Sequence, residues 1–369
     1  MQPPTIAIVS TEFGKYSETF IQRHVEKLFS GRTAVVAFEA MENGPFDRPF
    51  HVYPRVGAIR RAFGKRSVRR QDSDLVEFLQ GAGVTHALCE FGYVATKIAL
   101  PIARSGVPVF CYFRGADASR RLRDRHYVAR LGAIFPHLSG VIAVSQSLLN
   151  NLAEAGLTHP NSKVIPSGTD INAVTPGCVE ESHILTVGRL VPKKDPLSAL
   201  EAFARVAGKH NDLRWTIVGS GTLEAALRSR ADTLGVAHRI TLAGPRPHHE
   251  VVELMRRTTA YFQAFRTAPD GDTEGMPGAI QEAMAAGRAI VTTRHAGIPE
   301  HITHGKTGLL FEEGDINGLA EGLNHVLSSP QVRKELGAAA RRHACEALDY
   351  RKLFASAEEF ITGRALSGS

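Results

Sequence analysis

The chain has 369 residues, of which 43% are hydrophobic and 22% charged, too many for one ordinary core and apolar enough for two packed domains. Its net charge is +7, and the excess lies in the first half: residues 1–170 hold 21 Lys/Arg against 14 Asp/Glu, whereas residues 171–369 hold 23 of each. No apolar run reaches the ~18 residues of a membrane span, MQPPTIAIVS lacks the build of an export signal, and four scattered cysteines without a C-x-x-C exclude a metal knuckle, argue against a disulfide scaffold and point to a cytoplasmic chain.

Short apolar runs alternate with amphipathic segments. TIAIVS (5–10) reads as a buried strand, and ETFIQRHVEKLFS (18–30) as a helix with Ile21, Val25, Leu28 and Phe29 on one stripe. Ser17 is placed to cap that helix. Further strands are expected at 33–39, 85–92, 107–113 and 141–145, with helices over 94–104 and 146–155. Such runs suit strands covered on both faces. KVIPSGTDINAVTPG (163–177) interrupts the rhythm with turn residues and reads as a hinge. A second series of strands follows at 183–190, 213–221, 239–244, 260–265 and 289–293. Asp195-Pro196 reads as an N-cap with proline at the first helical position, and 341–363 as one helix that caps its own domain or crosses back to the first. The expected fold is α/β, two doubly wound Rossmann-like domains facing a central cleft. Their spans are 1–170 and 171–345, with a C-terminal helix over 346–369. In such sheets ligands bind beyond the carboxyl ends of the strands.

The strongest chemical pattern is GDTEGMPGAIQEAMAAG (271–287). Pro277 suits the first turn of a helix and Gly287 its end. Glu274 then stands just ahead of that helix and Glu282 inside it, roughly 12 Å away along the axis. Two carboxylates flanking the free N–H groups of a helix N-terminus match a ligand with hydroxyls at both ends and an anion between them. VGRLVPKKD (187–195) adds Arg189 and Lys194 at the end of a strand, a planar fork and a point charge for a diphosphate. Asp270-Gly271-Asp272 spells D-x-D, but its Gly-rich setting favours shaping of the loop over metal binding. Pro247-His248-His249-Glu250 lacks the i, i+4 spacing of a helical metal site and reads as a helix start. Gly219-Ser220-Gly221 lacks the third glycine of a dinucleotide fingerprint. The basic runs RRAFGKRSVRR (60–70) and RLRDRHYVAR (121–130) suit an anionic membrane surface or a phosphorylated substrate; no nucleic-acid motif accompanies them.

These motifs resemble the family 4 retaining glycosyltransferases of GT-B fold, and above all the bacterial branch that builds capsular polysaccharide and exopolysaccharide of the colanic-acid or amylovoran type. The E-x7-E pattern is carried by Glu274 and Glu282. The G-R-L-x-x-x-K pattern is carried by Gly188, Arg189, Leu190 and Lys194. SETFIQRHVEKL (17–28), IAVSQSLLNNLAEAG (142–156), PSGTD (166–170) and HAGIPEHITHGKTGLLF (295–311) also fit. The resemblance implies that Arg189 and Lys194 hold the donor diphosphate, that Glu274 binds sugar hydroxyls with Gly275, Met276 and Pro277 beside it, and that Glu282 binds the ribose. Gly188 would line the donor site, and Gly14, Ser17 and Glu18 would lie under the phosphate and acceptor. Where relatives show His-Gly-x-Asp, this chain has Arg114-Gly115-Ala116-Asp117. Arg114 would stabilise the leaving phosphate, and Asp117 would position Arg114 or the acceptor. No metal or cofactor is expected, the nucleotide sugar serving as co-substrate. Implied partners are a GDP- or UDP-hexose donor, a lipid-linked or oligosaccharide acceptor, and the inner membrane surface met by the basic N-terminal face. A nucleotide-sugar epimerase of the same architecture and a non-catalytic sugar-binding protein are the competing readings.

Overall fold

Runs buried on both faces favour parallel pairing with helical crossovers, and both halves of the chain follow that rule. The computed structural model describes residues 3–13, 19–39, 47–54 and 70–363. It divides into two units, residues 1–165 with 354–369, and residues 166–353.

In the first unit the strands are β1 (Ile6–Ser10), β2 (Thr33–Ala37), β3 (Phe50–Val52), β4 (His86–Glu90), β5 (Val109–Phe113), β6 (Gly140–Ala143) and β7 (Ser162–Val164). They form one parallel sheet in the order β3-β2-β1-β4-β5-β6-β7. Ile6 stands opposite both Thr33 and His86, which fixes the register at the centre. The helices are α1 (Thr19–Lys27), α2 (70–81), α3 (Gly92–Arg104), α4 (Arg125–Ile134) and α5 (Gln146–Glu154).

The second unit repeats the plan. Its strands are β8 (His183–Val187), β9 (Arg214–Val218), β10 (Ile240–Gly244), β11 (Ala260–Gln263), β12 (Ala289–Thr293) and β13 (Leu309–Phe311). They run parallel in the order β10-β9-β8-β11-β12-β13. Helices α6 (Pro196–Ala207), α7 (Glu224–Thr233), α8 (His248–Arg257), α9 (Gly278–Ala285), α10 (Ile316–Ser328) and α11 (Pro330–Ala347) flank the sheet, and α12 (Tyr350–Thr362) ends the described chain. Trp215, Phe203 and Phe262 are fully buried together in its core. Each sheet winds outward from its first strand, then reverses. The reversal lies between β1 and β4 in one unit and between β8 and β11 in the other, so the loops leaving those strands are where a ligand is to be sought.

Several local expectations are corrected. α1 stops at Lys27, because Phe29 and Ser30 take left-handed φ values of 51° and 55° that turn the chain into β2; Phe29 is buried, but not on a helical stripe. The C-terminal segment is two helices, broken at Leu348–Asp349. There the Thr169 N–H donates to the Leu348 carbonyl at 2.8 Å and the Tyr350 N–H donates to the Thr169 carbonyl at 3.1 Å. Gly168 in PSGTD, at φ +73°, lies so close to this break that a Cβ would stand 2.7 Å from the Tyr350 Cα. Asp195 precedes Pro196 but makes no capping bond; at φ 35° it ends a tight turn over Pro192–Lys194, and proline alone starts α6. β3, β7 and β13 have three residues each, too short to show as runs. From Phe354 onward the chain belongs to the first unit. Phe360 packs on Phe110 with ring centroids 5.8 Å apart, and the Glu358 carboxylate accepts from the Phe29 N–H at 2.6 Å. Among the described residues no helix is long and apolar enough to cross a membrane.

Candidate active site

In the second unit the loops after β8 and β11, at the reversal of strand order, bring Lys194 and Glu274 together. The loop after β8 is fixed by backbone bonds to the Gly219-Ser220-Gly221 segment after β9. Gly188 N–H donates to the Val218 carbonyl, and Leu190 N–H to that of Ser220, both at 2.9 Å. This close approach explains the two glycines that resemble part of a dinucleotide fingerprint: a Cβ on Gly219 would stand 2.1 Å from the Gly188 carbonyl oxygen, on a backbone with φ +123°. Gly219→Ala is therefore expected to cost at least about 2 kcal/mol in urea denaturation, through overpacking and strain.

The loop then delivers Arg189, exposed, and Lys194, mostly buried. Lys194 Nζ lies 3.3 Å from Glu274 Oε1 and 4.8 Å from the centre of the Phe265 ring. Lys193, which sequence reasoning passed over, is buried, and its Nζ lies 3.3 Å from the same Glu274 oxygen and 3.2 Å from Asp272 Oδ1. Burial pushes the Glu274 carboxyl up, but the ammonium groups of Lys194 and Lys193 outweigh it and hold it down at about 2. Burial also pulls Lys194 below the usual lysine range; Glu274 opposes this, whereas the charges of Lys193 and Arg189 add to it. The site is thus a carboxylate locked in its ionised form beside a cation held short of its ordinary basicity.

The segment 270–277 is built to hold Glu274 in place. Asp270 Oδ1 accepts from the Asp272 N–H at 3.1 Å, and Gly271 takes φ +79°, so the first aspartate of D-x-D turns the loop while the second binds Lys193. The Glu274 N–H donates to His295 Nε2 at 3.0 Å. That nitrogen must then be unprotonated, so Nδ1 carries the proton that faces Glu313 Oε1 at 2.5 Å. Glu313 also accepts from the Thr267 N–H at 2.8 Å. His295 is buried flat against Phe265. It lies within the HAGIPEH stretch, which marked the region but not its role. The Gly275 carbonyl accepts from Gly297 N–H at 3.0 Å, and the carbonyl of Met276, itself buried, from Gln281 Nε2 at 3.2 Å. Pro277 stands at the N-cap of α9, and its carbonyl accepts from the Ile280 and Gln281 N–H groups at 3.2 and 3.3 Å, so the N–H groups of Gly278 and Ala279 are the ones that precede the helical bonding. Glu282, one turn in, lies 2.8 Å from Nε2 of His248, the first residue of α8.

In the first unit, Gly14, Ser17 and Glu18 lie outside the described residues, as does the basic run 60–70 apart from Arg70. Arg114, at the end of β5, donates from Nε to Glu90 Oε2 at 2.8 Å, and its Nη2 lies 2.8 Å from the same oxygen. Its guanidinium carbon lies 4.0 Å from the Phe20 ring centre and 3.8 Å from that of Tyr112. The other oxygen of Glu90 lies 2.5 Å from Nδ1 of the buried His24. Burial raises the Glu90 carboxyl, yet Arg114 and His24 together bring it below the usual range. Burial lowers the His24 imidazole, only partly offset by Glu90. Asp117 is buried and accepts from three backbone N–H groups, those of Gly92 (2.9 Å), Arg114 (3.1 Å) and Gly115 (3.0 Å). It positions Arg114 through the backbone rather than the guanidinium. Glu90 and His24 were not among the sequence candidates. Arg120, Arg121, Arg123, Arg125 and Arg130 are exposed, with Arg121 over the Tyr93 ring at 4.6 Å.

Residues 176–343 match the family model described as glycosyl transferases group 1. The chain is 31% identical over 247 residues to WcaL of Escherichia coli, named as a colanic acid biosynthesis glycosyltransferase, a match covering 66% of this chain and 58% of that one. It is 30% identical over 240 residues to the amylovoran biosynthesis glycosyltransferase AmsK of Erwinia amylovora, covering 63% and 59%. The chain thus spans under two thirds of the length of these relatives. Among solved structures, HepE of Anabaena in complex with UDP superposes with a TM-score of 0.81 at 19% identity, over 98% of this chain and 100% of that one, which shows the shared two-unit GT-B fold. Through its residues 176–343, the chain is similar to the glycosyl transferases group 1 family.

Proposed function

We propose that the protein is a retaining, metal-independent hexosyltransferase. It moves a sugar from a UDP- or GDP-linked donor to a hydroxyl of a lipid-linked or oligosaccharide acceptor in bacterial surface polysaccharide synthesis. The observation that carries this reading is the Glu274 carboxylate held between two lysine ammonium groups, at the reversal of strand order and ahead of the α9 N-terminus. The match of residues 176–343 to the group 1 glycosyl transferase model and the similarity to relatives named for exopolysaccharide synthesis support it.

On this reading Arg189, Lys194, the Gly188 backbone and the first turn of α9 grip the diphosphate. Glu274, with Gly275, Met276 and Pro277, takes the donor-sugar hydroxyls; Glu282 exchanges His248 for the ribose. In the first unit Asp117 and Arg114 shape the loop after β5. The bond from the anomeric carbon to the diphosphate oxygen breaks as the acceptor oxygen attacks on the same face. The acceptor proton passes to the leaving diphosphate, and the anomeric configuration is kept. Cations fixed beside the leaving group lower the barrier without reorganising, and the protein's own Arg189 and Lys194 supply that charge. The exposed arginines of 120–130 suit an anionic acceptor or the inner membrane surface and support the reading of a cytoplasmic, peripheral enzyme.

A thermal-shift panel of UDP- and GDP-sugars tests the donor. At a hundredfold excess over Kd, the matching donor stabilises by about 2.7 kcal/mol. Transfer should persist unchanged in EDTA, and the product should show the donor's anomeric configuration by NMR. A panel in which no nucleoside-diphosphate sugar shifts the transition sinks the proposal; a chelator that stops transfer removes its metal-independence.

A further inference from the structure

Lys193 is not needed to grip a diphosphate, yet it is among the most buried cations of the chain. Its ammonium donates to Asp272 Oδ1 and to the Thr273 carbonyl, both at 3.2 Å, and lies at ion-pair distance, 3.3 Å, from Glu274 Oε1, so three consecutive residues surround it. Its own carbonyl accepts from the Arg266 N–H at 3.1 Å, so its backbone is tied to the same loop. We propose that Lys193 is a positioning residue for Glu274, aimed by Asp272, which keeps the Glu274 carboxylate charged and oriented toward the donor sugar when Lys194 turns to the diphosphate. The inference rests on the transferase reading above.

The reasoning is one of charge. Glu274 is shared by two ammonium groups. When a diphosphate draws Lys194, a buried carboxylate with no second cation would be left uncompensated, at a heavy penalty. Lys193 removes that penalty, because Asp272 and Thr273 hold it where it is. The D-x-D aspartate therefore carries a lysine of the chain itself. A purely structural role is the weaker reading, since a buried ion pair gives little net stability over an apolar pair of the same shape.

Calorimetric titration of the full chain with UDP or GDP, and with the matching nucleotide sugar, separates the two grips. The ratio of the two Kd values measures what the sugar adds. In Lys193→Met the nucleoside diphosphate should bind within about twofold of wild type, while the ratio falls about tenfold or more, the loss of a charge-assisted contact. The acid limb of the ratio should also move to higher pH, because Glu274 loses a cation that keeps it ionised. Asp272→Asn, a near-isosteric change, should shift the ratio in the same direction by less, and Lys193→Arg should recover part of it. An unchanged ratio in both Lys193→Met and Asp272→Asn overturns the inference, as does a wild-type ratio near one. An equal loss of nucleoside-diphosphate affinity overturns it too, since Lys193 would then be a phosphate ligand. Failure of the wild type to bind any nucleoside diphosphate is a different result: it brings down the transferase reading itself.

Discussion

Lys194→Ala is expected to reduce turnover by about 10²–10³-fold, the range found when one preorganised donor to a developing anion is removed, while the protein stays folded. Lys194 stands beside the Phe265 ring and 3.3 Å from Glu274; on the proposed function it turns from that carboxylate to the diphosphate. Its loss leaves Glu274 paired with Lys193, so the loop should survive and circular dichroism and the melting transition should change little. Arg189→Ala should fall in the same direction with a larger share in KM, because an exposed guanidinium grips the diphosphate in substrate and transition state alike. Lys194→Arg should not rescue, since a planar fork does not fit where a compact point charge reaches. The pH profile adds an independent check. Lys194 must be protonated to work, and burial holds it below the usual lysine range, so kcat/KM should fall as pH rises, with a midpoint under the ordinary ~10.4. Near-normal turnover in both alanine variants would remove the diphosphate grip from the mechanism.

The residues proposed for that grip stand out in the sequence because they sit on local patterns. Glu274 and Glu282 flank a helix announced by Pro277 and closed by Gly287, whose φ is +67°. Arg189 and Lys194 follow an apolar strand. What could not be read is what the fold assembles from distant stretches. Lys193 and Lys194 are adjacent and chemically alike; only the tight turn over Pro192–Lys194 decides that one is sealed against Asp272 while the other keeps a less buried post. Glu90 looks like the last polar residue of THALCEFG, and His24 like one polar position on an amphipathic helix; they stand 66 positions apart. Arg114 was expected to await a leaving phosphate, but its side chain is spent on Glu90 between two aromatic rings, a partnership that no spacing rule announces. The parallel sheets were legible for the opposite reason. Strands buried on both faces leave continuous apolar runs, whereas three-residue edge strands such as β3 and β7 leave none.

That hidden cluster carries the second large effect, this time on stability. Glu90→Gln is expected to destabilise the first unit by about 3–5 kcal/mol, because it strips the counter-charge from a buried guanidinium. Glu90 is fully buried at the carboxyl end of β4 with His24 on one oxygen and Arg114 on the other. Glutamine keeps the shape and one acceptor, but leaves the Arg114 charge without compensation among Phe20 and Tyr112. The double variant Glu90→Gln, Arg114→Met should recover much of the loss, since removing both charges is far cheaper than removing one. The pH dependence has a definite sign. The Glu90 carboxyl is depressed in the folded protein, so its contribution is complete above the unfolded value of ~4.3 and is lost as pH falls through the folded value. The His24 imidazole is also depressed, so it too withdraws stability on acidification, beginning below ~6.5. Wild type should therefore weaken from mildly acidic pH downward. In Glu90→Gln the carboxylate part of that slope should disappear. The histidine part should remain, because without Glu90 nothing opposes the desolvation that keeps His24 neutral. Urea denaturation at pH 7, 5.5 and 4 separates the two contributions. A variant as stable as wild type at pH 7 would mean that Arg114 finds another counter-charge when Glu90 is gone.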